Sequence, residues 1–209
     1  MRPPRFVQTT DRDGVSVAEL MARLDDLASL PAALRARVAV QLRDPQLPIR
    51  ALLALGASLR ARTRALGASL LVNDRLDLAL ALGADGVHLG RRSVSVAEAR
   101  SLLGREAWIS CSAHDVREVR AAAAAGASAV LLSPVLASPG KGSPLGLETL
   151  AEARRLLDRA RTPPLLVALG GIDAASARAA RDARADAVAA HRAPRARADI
   201  LDYQAAHGR

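Results

Sequence analysis

One cysteine, one lysine and three aromatic residues are all that the 209-residue chain contains of those types. With Cys111 alone no internal disulfide can form, which fits a reducing cytoplasm. Phe6, Trp108 and Tyr203 are too few to build the stacking platforms of a single-strand nucleic-acid binder. The formal charge of +9 raises that partner nonetheless. The arginines, however, are scattered over almost every expected helix, as on solvated faces, so no nucleic-acid partner is expected. A basic surface also attracts small phosphorylated molecules. Apolar runs break at Gly, Ser or a charge before the roughly 18 residues of a membrane span. Met1 to Asp13 holds no apolar stretch like a secretory signal. No membrane partner is expected, and nothing in the chain indicates an oligomeric state.

What is abundant is Ala, Leu and Val: half the residues are hydrophobic, enough for a sizeable core in one domain over residues 1–209. Short β-type runs alternate with Ala/Leu/Arg helical stretches. Strands are expected at Phe6–Thr10, Val38–Leu42, Ser69–Asn73, Gly86–Leu89, Trp108–Ser112, Ala129–Ser133, Leu165–Leu169 and Ala187–Ala190. Helices are expected near Val17–Leu30, Ile49–Leu66, Arg75–Leu82, Ser95–Leu103, Asp115–Ala125, Gly146–Ala160, Ala174–Asp182 and Asp199–Ala206. Several strands are continuous apolar runs, as parallel strands buried on both faces should be. Eight such units predict an α/β fold, a (β/α)8 TIM barrel. The alternative is an open doubly wound sheet, but its glycine-rich turn after the first strand is replaced by Thr9-Thr10-Asp11-Arg12-Asp13. Polar residues fall at the C-terminal strand ends, where barrel chemistry belongs: Gln41 and Arg43, Asn73-Asp74, His88, Ser112 and His114, the Lys141 loop, Gly170-Gly171, and His191-Arg192.

Several of these invite a role. Lys141 is the only lysine among 30 basic residues, inside Ser138-Pro139-Gly140-Lys141-Gly142-Ser143-Pro144. A compact ammonium on a flexible stem in such a loop suits an anion. Gly170-Gly171 allows close approach of backbone N–H groups to a phosphate, and Asp173 is placed to cap the following helix. Asp74 is a candidate Mg²⁺ ligand, because Mg²⁺ commonly takes one or two carboxylates plus substrate phosphates. Its competing role, capping a helix that begins at Arg75, is favoured when the residue is read alone. Asp77 has local capping or pairing open to it. His114 has the chemistry of a general acid or base. His88, alternating with apolar neighbours, reads as a hydrogen-bonded structural histidine. No His/Cys/carboxylate spacing suggests zinc, and no Gly-x-Ser-x-Gly elbow suggests a serine hydrolase.

As an ordered set from about Val38 to Ala190, these segments resemble the thiamine-phosphate synthase and thiazole tautomerase family. The resemblance is carried by Val40-Gln41-Leu42-Arg43-Asp44, Val72-Asn73-Asp74-Arg75-Leu76-Asp77-Leu78-Ala79 and Gly83-Ala84-Asp85-Gly86-Val87-His88-Leu89-Gly90. Ser112-Ala113-His114, Ser133-Pro134-Val135, Lys141, Pro144-Leu145-Gly146-Leu147-Glu148 and Ala168-Leu169-Gly170-Gly171-Ile172 continue it. It implies a (β/α)8 barrel that joins a pyrimidine methyl diphosphate to a thiazole phosphate, yielding thiamine phosphate and pyrophosphate. By the same resemblance Gln41, Arg43, Asn73 and Lys141 hold the diphosphate and Asp74 holds Mg²⁺. Ser112 sits near the diphosphate or the pyrimidine, and Gly171 holds the thiazole phosphate.

The chain departs from the synthase pattern at several points. Pro45 stands where a lysine is usual, Ser93 where an acidic residue is usual, and Arg91 where a glutamine is usual. His191-Arg192 replaces a phosphate-binding Ile-Ser, and Ser138 and Gly140 replace threonines. Arg91, Arg92 and Arg192 are candidates to replace the lost charge. The tautomerase branch needs no metal and uses a histidine at the place of His114. Three further readings therefore stand beside the synthase: a metal-free tautomerase, a non-catalytic phosphate-ligand binder, and a salt-sensitive nucleic-acid binder.

Overall fold

The computed structural model describes Pro4, residues 6–10 and residues 16–190. The expectations for His191-Arg192 and for a helix over Asp199–Ala206 fall outside the described residues. The first strands are β1 (Phe6–Thr9), β2 (Val38–Leu42), β3 (Ser69–Asn73) and β4 (Gly86–Leu89). They are followed by β5 (Trp108–Ala113), β6 (Ala129–Leu132), β7 (Leu165–Leu169) and β8 (Ala187–Ala190). All pair in parallel in chain order, and the sheet curls until β8 pairs with β1. The helices are α1 (Val17–Asp25), α2 (Ala32–Arg35), α3 (Ile49–Leu66) and α4 (Leu76–Leu82). Then come α5 (Val96–Leu103), α6 (Val116–Ala124), α7 (Gly146–Leu157) and α8 (Ala174–Asp182). The fold is α/β, with helices packed outside a curled parallel sheet.

The strand positions agree with the sequence to within a residue at each end. The first expected helix does not run intact to Leu30. It stops at Asp25 and tightens into a 3₁₀ turn over Asp26–Ser29, after which Leu30 turns extended. Pro31 then starts the one-turn α2, which the sequence reading missed. The residue before a proline is pushed out of the helical region, so a helix could not continue through this point.

Alternation along each strand divides the core. Val38, Val40 and Leu42 of β2 join the large cluster beneath the helices, whereas Ala39 joins Val7, Leu71, Ala129, Leu131, Val167, Ala187 and Ala189 inside the curled sheet. Trp108 and Leu165, at the N-terminal ends of their strands, pack against this inner cluster. Room for Trp108 depends on Gly86, where an added Cβ would lie 1.9 Å from the Trp108 carbonyl oxygen. The inner face is thus aliphatic toward one end of the strands and changes to polar toward the other.

The helix-to-strand joints repeat a device. Residues Gly83, Gly126 and Arg184 all have positive φ, at 54°, 80° and 70°. Each is followed by Ala and then Asp85, Ser128 or Asp186 just before the strand. That third side chain accepts the backbone N–H of the neighbouring strand: Leu70 to Asp85 (2.8 Å), Ile109 to Ser128 (3.2 Å), Leu166 to Asp186 (2.8 Å). An arginine on the preceding odd-numbered helix meets it from outside, namely Arg60, Arg100 and Arg154. These joints fix strand register at the closed end and leave the opposite end to the site.

Candidate functional site

Because all eight strands run the same way, every loop that follows a strand opens on one rim. Gln41, Asn73, Asp74, Ser112, His114, Lys141, Gly170 and Gly171 therefore share that end of the sheet.

Gln41 is buried, and its Nε2 donates to Asn73 Oδ1 at 2.9 Å. The Asn73 amide nitrogen donates in turn to Asp74 Oδ2 at 2.6 Å. Asp74 has φ 59°, a left-handed conformation that Asp tolerates better than most side-chain-bearing residues. Its backbone N–H donates to the His88 carbonyl at 2.9 Å. Its Oδ1 accepts the Gly90 amide at 3.0 Å and the Ser93 hydroxyl. The capping role is thereby corrected: α4 begins at Leu76, Arg75 occupies the cap without a side-chain bond, and the Asp74 carboxylate braces the β4–α5 loop. Asp77 pairs with Arg75, which holds the Asp77 carboxyl below its ordinary range.

Arg43 is half-buried at the end of β2, with its backbone clamped on both sides by the Thr10 hydroxyl. His88 lies deeper and is buried. Its Nδ1 is 3.1 Å from Ser110 Oγ and its Nε2 is 3.0 Å from Ser112 Oγ. Burial pushes the imidazole down to about 4; the Asp74 charge opposes that shift and the Arg43 charge adds to it. His88 is therefore neutral near pH 7, and both charges are close enough to be felt there. The sequence pointed to Ser112 and missed Ser110. The available signal was the period of two, which puts 110 and 112 on the same strand face.

His114 is exposed, with Nδ1 at 2.7 Å from the Ser133 carbonyl oxygen. A carbonyl only accepts, so Nδ1 carries a proton, and in the neutral ring the lone pair is on Nε2. Lys141 is exposed on the β6–α7 loop, where its backbone N–H turns back onto the Ser138 carbonyl at 3.1 Å. Its side chain touches neither the Gln41–Asn73–Asp74 chain nor the His88 pair. Arg91 and Arg92 are exposed just past Gly90.

Gly170 and Gly171 both have positive φ, 88° and 67°. A Cβ at Gly170 would lie 2.8 Å from Pro134 Cα, and one at Gly171 would lie 2.4 Å from the Ala137 carbonyl oxygen. The carbonyls of Leu169 and Gly170 accept the amides of Val135 and Leu136. The pair thus presses the β7 turn against the stem of the Lys141 loop. Asp173 caps α8 as expected, and the Ser176 hydroxyl and amide hold its carboxyl below the usual range.

Among the described residues no group of three or more His, Cys, Asp or Glu side chains gathers as a metal cage. Mg²⁺ demands less from the protein when phosphates complete its shell. Three of the roughly four lone-pair directions of the Asp74 carboxylate are in use, leaving one on Oδ2, with the Ser93 hydroxyl alongside. That set fits a cation held chiefly by ligand phosphates. Among the described residues no helix is long and apolar enough to cross a membrane.

The family model described as thiamine monophosphate synthase matches residues 15–193. The thiamine-phosphate synthase of Methanoculleus marisnigri is 44% identical over 167 residues, covering 78% of this chain and 76% of that protein. The thiamine-phosphate synthase of Moorella thermoacetica is 39% identical over 165 residues, covering 78% and 76%. The solved thiamine phosphate pyrophosphorylase from Pyrococcus furiosus superposes with a TM-score of 0.78 at 25% identity, over 97% of this chain and 94% of that one. A match across this much of the chain means that the chain belongs to the thiamine-phosphate synthase family.

Proposed function

We propose that this chain is a cytoplasmic enzyme that couples a pyrimidine methyl diphosphate to a thiazole phosphate, giving thiamine phosphate and pyrophosphate. The architecture in this reading is a single-domain (β/α)8 barrel. The observation that carries the reading is the change of the inner face from aliphatic to polar at the strand C-termini, through Gln41, Asn73, His88 and Ser112.

In the reaction the methylene C–O bond breaks and its electron pair leaves on the diphosphate oxygen. The thiazole nitrogen supplies the pair for the new C–N bond, and no proton changes hands. The barrier is therefore one of charge, met by cations arranged in advance around the departing diphosphate. Arg43 and the Gln41 and Asn73 amides line its seat, and Lys141 closes on it from the β6–α7 loop. Asp74 would hold Mg²⁺ together with the substrate phosphates, and the ion would supply charge that neutralises part of the leaving group. Gly170-Gly171 offers backbone to the thiazole phosphate. Ser112 lies beside the diphosphate or the pyrimidine.

The test is pyrophosphate release from the two substrates. Lys141→Ala and Asp74→Ala are each expected to lower kcat at least tenfold, and turnover is expected to fall in EDTA. Unchanged turnover in EDTA removes the metal, and thermal stabilisation by thiamine phosphate without any turnover replaces the enzyme with a binder.

A second reading is favoured by one contact. The Nδ1–H of His114 is tied to the Ser133 carbonyl, which leaves Nε2 as a base for metal-free isomerisation of a thiazole carboxylate phosphate. Proton exchange at the thiazole that survives His114→Ala would exclude it.

A further inference from the structure

Ser110, His88 and Ser112 form a line of three polar groups inside the curled sheet, beside its aliphatic cluster. Ser110 is 2% exposed and His88 6% exposed, so water does not share their bonds. The Ser110 hydroxyl has one proton. Its oxygen is 3.3 Å from the Val87 carbonyl, which only accepts, and 3.1 Å from His88 Nδ1. If Ser110 donates to Val87, its oxygen is left to accept from an Nδ1–H. The neutral ring then has its lone pair on Nε2, and the Ser112 hydroxyl donates to it across 3.0 Å. This arrangement satisfies all three contacts together. The opposite tautomer, with the proton on Nε2, forces Ser110 to donate to Nδ1 and gives up the bond to Val87. That tautomer makes two of the three bonds, where the first makes all three.

We infer that His88 is a positioning residue, held by Ser110 as the Nδ1–H tautomer, that commits the Ser112 proton inward and leaves Ser112 only lone pairs to offer a ligand. A hydroxyl presented in this way accepts from N–H or O–H and repels a phosphate oxygen. Of the two places open to Ser112, beside the diphosphate or beside the pyrimidine, it takes the second and reads an amino N–H donor carried by the pyrimidine. That consequence for the ligand rests on the reaction proposed above; the tautomer does not. The neutrality of the buried ring at pH 7 is consistent with both.

The tautomer is read from the nitrogen-15 shifts of the histidine side chains in the full chain near pH 7, with His88 assigned by its loss in His88→Gln. The expected spectrum has a protonated Nδ1 and an unprotonated Nε2; a protonated Nε2 in the wild-type chain overturns the inference. Ser110→Ala is expected to move the proton toward Nε2, but the wild-type spectrum decides without it. The ligand arm compares inorganic pyrophosphate, which offers acceptors, with thiamine phosphate, whose aminopyrimidine carries N–H donors. Ser112→Ala is expected to weaken thiamine phosphate about tenfold and pyrophosphate less than twofold. A tenfold loss for pyrophosphate overturns the inference. If the wild-type chain binds neither probe, the reaction reading falls, and the nitrogen spectrum still decides the tautomer.

Discussion

Asp186 shows how one side chain joins three elements. Its carboxylate takes the Leu166 amide of β7 and a guanidinium nitrogen of Arg154, 2.7 Å away on α7. Arg154 is 6% exposed and would keep only its half-exposed partner Asp158, 2.9 Å from Nε, so removing Asp186 weakens the pairing of a buried charge and orphans the Leu166 amide. Asp186→Ala is expected to lower stability by about 3 kcal/mol, measured by urea unfolding. Cys111 is the other buried reactive group, its thiol pushed up to about 11 by burial. The folded chain is therefore expected to resist a thiol reagent at pH 8 and to react at once in denaturant. The thiol form contributes stability that is fully present below the ordinary thiol range and is lost progressively as pH rises from 9 toward 11. At this scale the sequence was legible for residue identity and illegible for direction. Asn73 and Asp74 were picked out from their place at a strand end. That the Asp74 carboxylate turns toward Gly90 depends on a left-handed φ and on a loop 16 residues further along, neither of which has a local signature.

The joints between helices and strands carry the clearest element-scale prediction. Gly83, Gly126 and Arg184 occupy equivalent left-handed positions, and only Arg184 has a Cβ there. Arg184→Gly is expected to raise stability by about 1 kcal/mol, seen as a higher Tm. The exposed Arg184–Asp158 contact at 2.9 Å that it gives up is worth less than that. The converse change, Gly171→Ala, is expected to displace the Lys141 loop, because its methyl has nowhere to go beside the Ala137 carbonyl. It should raise KM for both substrates, the thiazole phosphate that Gly171 meets and the diphosphate that Lys141 closes on. Strands were readable to within a residue because aliphatic runs here are bounded by Gly-Ala-Ser or Gly-Ala-Asp. Helix α1 was not, since nothing in Asp25-Asp26-Leu27-Ala28-Ser29 breaks helical periodicity before Pro31 acts on Leu30.

At the scale of the whole molecule, the pairing of β8 with β1 makes the two ends of the sheet depend on each other. Trp108, the single tryptophan, sits against the inner cluster and reports on it directly. Its fluorescence and the far-ultraviolet circular dichroism are expected to change together in one urea transition; separate midpoints would show that the halves unfold independently. Alternation and parallel-strand composition made this architecture readable from the sequence, because burial on both faces leaves so few polar residues that those present stand out. The same aliphatic plug has a kinetic meaning. Among the described residues Val7, Leu71, Leu131 and Val167 pack together inside the curled sheet, away from its polar rim. Reactants and products must then share one doorway, and whatever settles deepest departs last. Sequential arrival and inhibition by the first product to linger would follow from a vessel with a floor.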